Sequence, residues 1–117
     1  GDIDYLHLHG TGTKYGDLYE VREIKEALGA AAYRVPASST KGATGHMLGA
    51  TGAVEIIATL LGIHEGFAPP TVGLEKSDLA CDLDHVPGKA RARKITNAVK
   101  LSMGFGGQVA AVLLRKI

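Results

Sequence analysis

Residues 46 to 64 form a segment that is apolar on nearly every side, and this feature restricts the fold more than any other in the chain. A surface helix carries one apolar stripe, whereas a helix that is apolar all round has to be buried. The intervening glycines Gly45, Gly49 and Gly52 allow a neighbouring backbone to approach closely. The segment therefore predicts a helix buried within a larger body.

Strand-type and helix-type segments alternate along the rest of the chain. Residues 3–9 predict a strand, and residues 17–29 predict an amphipathic surface helix, with Asp17 and Glu20 at capping-box spacing and Gly29 as its stop. Residues 34–39 could form a short strand, and NAVKLS and QVAAVLLRK predict two strands joined by the turn GFGG. The order predicts an α/β fold with a mixed sheet covered by helices, and 117 residues fit one unit, 1–117.

Composition excludes several classes of function. Thirteen basic and twelve acidic residues leave a net charge of +1, so nothing indicates a nucleic-acid or membrane partner. The N-terminal sequence GDIDYLHLHG lacks the pattern of a signal peptide, and we expect no apolar run of membrane-spanning length. The single cysteine, Cys81, excludes an internal disulfide and is compatible with a reducing compartment. We therefore expect a soluble cytoplasmic protein.

Two familiar cofactor sites fit the sequence poorly. GATGHMLG, residues 42–49, looks like the glycine fingerprint of dinucleotide-binding enzymes, but no apolar strand precedes it and no acidic strand end follows. Glycines that pack a helix against a neighbour explain it more simply. His7 and His9 could face one metal ion, yet further ligands at a suitable spacing are lacking. We predict no cofactor and no metal, and we interpret His64 and His85 as solvated surface residues.

The polar loops hold the remaining candidates for chemistry. His9 ends a predicted strand, Lys41 and His46 precede the apolar helix, and Phe105 lies within GFGG. A helix N-terminus and a nearby ammonium favour a neutral imidazole, whose N–H can donate to a developing oxyanion. Glu55 is a candidate partner for Lys41, because a lysine in an apolar site needs a carboxylate. Alternatively, Lys41 and Glu55 form a structural ion pair and the histidines are hydrogen-bonded core groups.

An ordered set of short motifs extends over practically the whole chain. The motifs are HGTGT at 9–13, STKGATGH at 39–46, GAVE at 52–55, HEGFAPPT, CDLDHVP, and GFGG at 104–107. In this order they closely resemble the C-terminal half of β-ketoacyl synthases, although each motif alone is weak. The resemblance implies a thiolase-like layered α/β fold. It also implies decarboxylative Claisen condensation of an acyl thioester with malonyl carrier protein, in fatty-acid or polyketide biosynthesis.

The resemblance also implies roles for individual residues. His9 and His46 would be paired catalytic histidines that stabilise the enolate formed when malonyl loses carbon dioxide. Lys41, held by Glu55, would have an electrostatic and orienting role, and Phe105 would be an aromatic gate whose backbone N–H joins a second oxyanion hole. The residues implied in substrate binding are Thr11, Thr13, Gly106 and Gly107, with Gly10 and Gly12 leaving room for the thioester and its pantetheine arm.

The nucleophilic cysteine of that family has no counterpart in this sequence. Cys81 lies in the CDLD loop, where Asp82 and Asp84 would disfavour its thiolate. We therefore expect a portion of a larger enzyme, inactive alone, that works with a cysteine-bearing N-terminal half. Acyl carrier protein is the expected partner, and the full enzyme is expected to be a homodimer. A non-catalytic ketosynthase-like partner or chain-length subunit stays open as the alternative, as does the choice between fatty-acid and polyketide substrates.

Overall fold

A mixed sheet with helices on both faces organises the computed structural model, which describes residues 2–117. In chain order the elements are β1 (Tyr5–His7), α1 (Gly16–Leu28), β2 (Ala37–Ser38), α2 (Lys41–Thr44), α3 (Thr51–Glu65), β3 (Phe67–Ala68), β4 (Arg91–Ala92), β5 (Asn97–Gly104) and β6 (Gln108–Arg115). Short 3-10 helices over Gly29–Arg34 and Leu48–Ala50 follow α1 and precede α3. The predicted α/β class is confirmed.

The strand order of the main sheet is β2-β1-β5-β6, and β3 pairs with β4 in a separate antiparallel ribbon. β1 lies parallel to both β2 and β5, whereas β5 and β6 are antiparallel over their whole length. The predicted pair of C-terminal strands around GFGG is therefore confirmed. The strand predicted over residues 3–9 is shorter, and it lies between β2 and β5 in the sheet.

Alternation along β1 directs its side chains to two separate cores. Leu6 packs into a cluster with the apolar stripe of α1, which includes Val21 and Ile24, and Tyr5 packs into a second cluster with Ile63 of α3. α1 and α3 therefore cover opposite faces of the sheet. This arrangement is the layered α/β fold that the sequence predicts, and it places the C-terminal end of β1 between the two helical layers.

The start of α1 differs from the prediction. The N-cap residue is Tyr15, no side chain caps the helix there, and Asp17 instead accepts a hydrogen bond from the backbone N–H of Gly12 at 3.1 Å. The prediction that Asp17 and Glu20 form a capping box is therefore wrong. The predicted stop is confirmed, because Gly29 has a φ of 55° and donates its backbone N–H to the carbonyl oxygen of Lys25.

The apolar helix begins later and is more open than the sequence predicts. It starts at Thr51 rather than near residue 46, and Ile57, Leu60 and Leu61 expose between 45% and 57% of their surface. The stretch Leu48–Glu65 has a mean hydropathy of 1.2 and is long and apolar enough to cross a membrane by length and composition alone. Judged by length and composition, the expectation that the chain contains no apolar run of membrane-spanning length is therefore wrong. The core helix of a soluble protein passes the same test.

The glycines that permit close packing are not the ones predicted. A Cβ atom at Gly45, Gly49 or Gly52 would meet nothing within 4 Å. A Cβ at Gly42 would lie 2.2 Å from the carbonyl oxygen of Val72, and one at Gly62 would lie 2.7 Å from that of Phe67, so the close backbone approaches occur at α2 and in the last turn of α3. Gly42 therefore allows the segment after β3 to pack against the residues that precede His46.

Candidate active site

The two histidines singled out in the sequence meet between the helical layers. His9 follows β1, and His46 lies in the loop between α2 and α3. Their ring centroids are 5.5 Å apart, and the rings stand edge to face at 86°. The fold thus brings together two imidazoles that are 37 positions apart, the difference between 46 and 9 in the printed sequence.

The loop after His46 fixes the position of the proton on its ring. The backbone N–H of Leu48 donates to Nδ1 of His46 at 3.1 Å, and the Thr51 hydroxyl lies 3.1 Å from the same nitrogen. A nitrogen that accepts a hydrogen bond from a backbone N–H carries no proton, so the proton is on Nε2. Leu48 holds this contact with a φ of 51°, a strained value for a residue other than glycine. His46 therefore presents an Nε2–H donor.

His9 is held neutral by its surroundings. Burial lowers the pKa of His9, and the positive charges of Lys41 and Lys100 lower it further, against a smaller opposing effect of Glu55. Nδ1 of His9 is buried and has no hydrogen-bond partner among residues 2–117. A neutral ring has one N–H to donate, as an oxyanion-stabilising histidine requires.

Lys41 and Glu55 form a buried ion pair next to the histidines. Nζ of Lys41 lies 2.5 Å from Oε1 of Glu55, and the side chains are 6% and 0% exposed. The Lys41 ammonium also donates to the backbone carbonyl of His9. The lysine is thereby tied both to α3 and to the residue that carries the first imidazole.

A second buried lysine, which the sequence analysis missed, contacts the same carboxylate. Nζ of Lys100 on β5 lies 2.9 Å from Oε2 of Glu55, and its side chain is 2% exposed. The distance makes this contact an ion pair. Its angles do not satisfy those of a hydrogen bond, so Oε2 of Glu55 accepts no hydrogen bond among the described residues. The sequence does indicate that Lys100 is buried, because it lies two positions after the buried Ala98 and therefore points to the same face of β5.

Glu20, which the sequence analysis placed in a capping box, instead binds the loop that bears His9. Its two carboxylate oxygens accept the backbone N–H groups of His9 and Gly10 at 2.7 and 2.8 Å. Glu20 is 2% exposed, and burial raises its pKa despite these two hydrogen bonds. α1 thus fixes the backbone of HGTGT with a side chain rather than through a helix cap.

A cavity of about 520 Å³ adjoins this loop. Its lining includes Lys41, His46, Thr11 and Thr13, and the two threonine hydroxyls lie 3.2 Å apart. A Cβ at Gly10 would lie 2.5 Å from Cβ of Ser39, so this glycine makes room for a neighbouring side chain rather than for a ligand.

The turn GFGG does not line this cavity. Phe105 is fully exposed, and Gly106 and Gly107 are exposed with φ near 80° between β5 and β6. The structure therefore does not bring this turn to the pocket beside His46. A gating role of Phe105 and substrate binding by the two glycines stay predictions from the resemblance.

Cys81 and the remaining histidines lie outside the histidine pair. Burial raises the pKa of the Cys81 thiol, and the negative charge of Asp78 adds to the effect, so the thiolate is disfavoured. His64 is solvated as expected, with a side chain 79% exposed. The interpretation of His85 as a solvated residue is wrong, because its ring nitrogens lie 3.2 and 2.9 Å from the backbone carbonyls of Ala37 and Cys81.

Comparison with known proteins gives consistent matches. Residues 1–75 match the family described as beta-ketoacyl synthase, C-terminal domain. The chain is 46% identical over 115 residues to 3-oxoacyl-[acyl-carrier-protein] synthase 2 of Coxiella burnetii, covering 98% of this chain and 28% of that protein. It is 47% identical over 114 residues to the actinorhodin polyketide putative beta-ketoacyl synthase 1 of Streptomyces coelicolor, covering 97% and 24%.

A solved structure gives the same result for the fold. The ketosynthase of a type II polyketide synthase, solved in complex with its acyl carrier protein and bound to the hexaketide, superposes with a TM-score of 0.96. The two chains are 35% identical, and the match covers 99% of this chain and 28% of that one. The chain thus spans about a quarter of the length of the relatives it matches, and the match establishes a thiolase-like ketosynthase fold for that part.

Proposed function

Because the chain belongs to the β-ketoacyl synthase family, whose C-terminal domain it matches, we propose that it supplies the two-histidine part of a condensing site. The proposed reaction is the decarboxylative Claisen condensation of an acyl thioester with malonyl carrier protein. The observation that carries the proposal is the pairing of His9 with His46, whose Nε2–H is fixed by the loop after it.

The histidine pair has the chemistry that the decarboxylation step needs. When the bond from the malonyl carboxylate to Cα breaks, carbon dioxide leaves and the electron pair moves toward the thioester oxygen, which becomes an enolate. Two neutral N–H donors stabilise that oxygen without reorganisation in a site that excludes water. The enolate carbon then attacks the carbonyl of the acyl thioester, and the sulfur of that thioester leaves as a thiolate.

In this proposal the acyl group is carried by a cysteine outside this chain. Cys81 is the only cysteine of the sequence, and its surroundings disfavour the thiolate that acyl transfer requires. The chain alone is therefore proposed to be inactive in condensation. The test is to incubate the purified chain and its Cys81→Ala variant with an acyl thioester and malonyl carrier protein; product that disappears in the variant would make Cys81 the nucleophile.

The decisive measurement of the histidine role is carbon dioxide release from malonyl carrier protein. We expect His46→Ala, in the enzyme that contains this chain and a reactive cysteine, to lower the rate by about 10²- to 10³-fold, because one donor to the enolate is lost. His64→Ala is the matched control, since that imidazole is exposed. Release at the parent rate from His46→Ala would refute the role and favour a non-catalytic ketosynthase-like partner.

Partners and surroundings follow as part of the same proposal. A related ketosynthase was solved with an acyl carrier protein, and we propose such a carrier as the donor of malonyl groups here. The exposed apolar residues of α3 favour association, with a cysteine-bearing portion or within a homodimer. Sedimentation of the purified chain tests the association; a monomer at micromolar concentration would contradict it.

We propose the cytoplasm as the location of the protein, because the free thiol of Cys81 is compatible with a reducing compartment.

A further inference from the structure

The buried charge beside the histidine pair is not balanced. Among residues 2–117, Lys41 and Lys100 each form an ion pair with Glu55 and with no second carboxylate. The side chains of all three are at most 6% exposed, so water screens them little. The cluster therefore carries two positive charges and one negative charge.

Neutral groups surround the rest of this cluster. The His7 ring is fully buried, and burial lowers its pKa to about 4, so it adds no compensating or further charge near neutral pH. The Lys100 ammonium also donates to the hydroxyl of Ser102, which is uncharged. Of the three charged groups only Lys41 lines the pocket beside His46, and its ammonium also donates to the backbone carbonyl of His9. The excess positive charge therefore reaches the pocket through Lys41.

A purely structural role explains the second lysine poorly. Lys41 and Glu55 already make a neutral buried pair, and a further buried ammonium loses its hydration while sharing a carboxylate that is already engaged. Groups that lower stability without a structural gain are typical of functional sites.

We propose that Lys100 is a positioning residue that acts through Glu55: it draws the carboxylate charge away from Lys41, whose ammonium then attracts an anionic acyl group to the histidine pair. This inference rests on the proposed function, and the anionic group it fits is a malonyl-type carboxylate or the enolate that forms from it. Its contribution is electrostatic, so an uncharged side chain of similar length cannot replace it.

The test uses two variants that remove the charge and differ in polarity, Lys100→Met and Lys100→Gln. Lys89→Met is the matched control, because Lys89 is an exposed lysine of the same chain. Three quantities are measured: the melting temperature, the pH midpoint of the His9 ring by NMR, and carbon dioxide release from malonyl carrier protein. The first two need only the purified chain.

We expect both Lys100 variants to melt at or above the parent temperature and to release carbon dioxide up to about 100-fold more slowly, the scale for a displaced catalytic arrangement. The His9 midpoint should rise, because Lys100 is one of the charges acting on that ring, together with Lys41 of α2 and Glu55 of α3. The ring of His46, in the loop after α2, also faces His9 but is neutral. Glu20 of α1 binds only the backbone of His9. The control should match the parent in all three measurements.

Several outcomes would overturn the inference. An unchanged His9 midpoint, parent-like decarboxylation by Lys100→Gln, or loss of the fold in both variants would show that Lys100 acts by packing or hydrogen bonding instead. If the parent itself releases no carbon dioxide, the proposed function fails. The His9 midpoint and the melting temperature would then still decide whether Lys100 sets the charge of the pocket.

Discussion

The buried neutral ring of His7 should make the stability of this chain fall steeply in mild acid. The ring is 0% exposed, Nδ1 lies 3.2 Å from the carbonyl of Leu8, and Nε2 lies 3.2 Å from the hydroxyl of Thr40. The carbonyl can only accept, so Nδ1 carries the proton and Nε2 accepts from Thr40. Protonation of the second nitrogen would remove that acceptor inside the core.

The size of the effect follows from the change in pKa on folding. Burial lowers the pKa of His7 from 6.5 to about 4, so between these values the unfolded chain binds a proton that the folded chain does not. The stabilising contribution is thus complete above pH 6.5 and is lost as the pH falls toward 4. At 1.36 kcal/mol for each pH unit, the free energy of unfolding should decrease by about 3 kcal/mol over this window from this residue alone.

Urea unfolding at a series of pH values from 7 to 4 measures this loss. Other groups also contribute to the pH dependence, among them His9 with its lowered pKa and Glu20 with its raised pKa. The comparison is therefore made with His7→Asn, which keeps a donor for Leu8 and cannot titrate. We expect the variant to be less stable at pH 7 but to lose about 3 kcal/mol less on acidification. His64→Asn, at an exposed histidine, should follow the parent. Parallel curves for the parent and His7→Asn would refute the reasoning.

Three further predictions concern the hydrogen bonds of Glu20 to the His9 loop, the buried ion pairs of Glu55, and the close packing at Gly42. Glu20→Gln should lower the free energy of unfolding by roughly 1.5–3 kcal/mol, because it loses one of two charge-assisted hydrogen bonds to the His9 loop; urea unfolding at pH 7 checks this, and no change would contradict the clamp. Glu55→Gln should cost about 3–5 kcal/mol in the same assay, since two buried ammoniums lose their carboxylate, and a loss below 1 kcal/mol would argue against burial of both charges. Gly42→Ala should lower stability by about 1–3 kcal/mol through its contact with a backbone carbonyl, whereas Gly49→Ala, in open space, should change little; equal effects would contradict the packing.

Local patterns in the sequence predicted the parts of the fold that local interactions determine. The two C-terminal strands follow from alternation on either side of a glycine-rich turn, and α1 follows from its apolar stripe and Gly29. These features depend on neighbours a few positions away. The boundary of α3 was missed because Leu48 adopts a positive φ that no pattern of apolar residues encodes.

The contacts that complete the site depend on distant parts of the chain, and the sequence analysis missed most of them. Glu20 fits the spacing of a capping box as well as that of a clamp on His9, and only the fold decides between them. Lys100 contacts a carboxylate 45 positions earlier, the difference between 100 and 55 in the sequence, so its partner cannot be found from spacing. The pair of Lys41 and Glu55 was predicted because a lysine in an apolar site needs a carboxylate and Glu55 lies on the apolar helix.

The central place of β1 in the sheet has a consequence for how this chain folds during synthesis. β1 is translated first among the described elements, yet its neighbour β5 comes from the other end of the chain, and Asp4 accepts a hydrogen bond from Thr96, 92 positions later. Contacts of such high sequence separation form slowly. In the emerging chain the edge of β1 that pairs with β5 therefore stays open until the C-terminal strands leave the ribosome, a state that favours chaperone binding or aggregation. Synonymous codons that slow translation between residues 70 and 95 would prolong that exposure, while leaving the mature protein chemically identical.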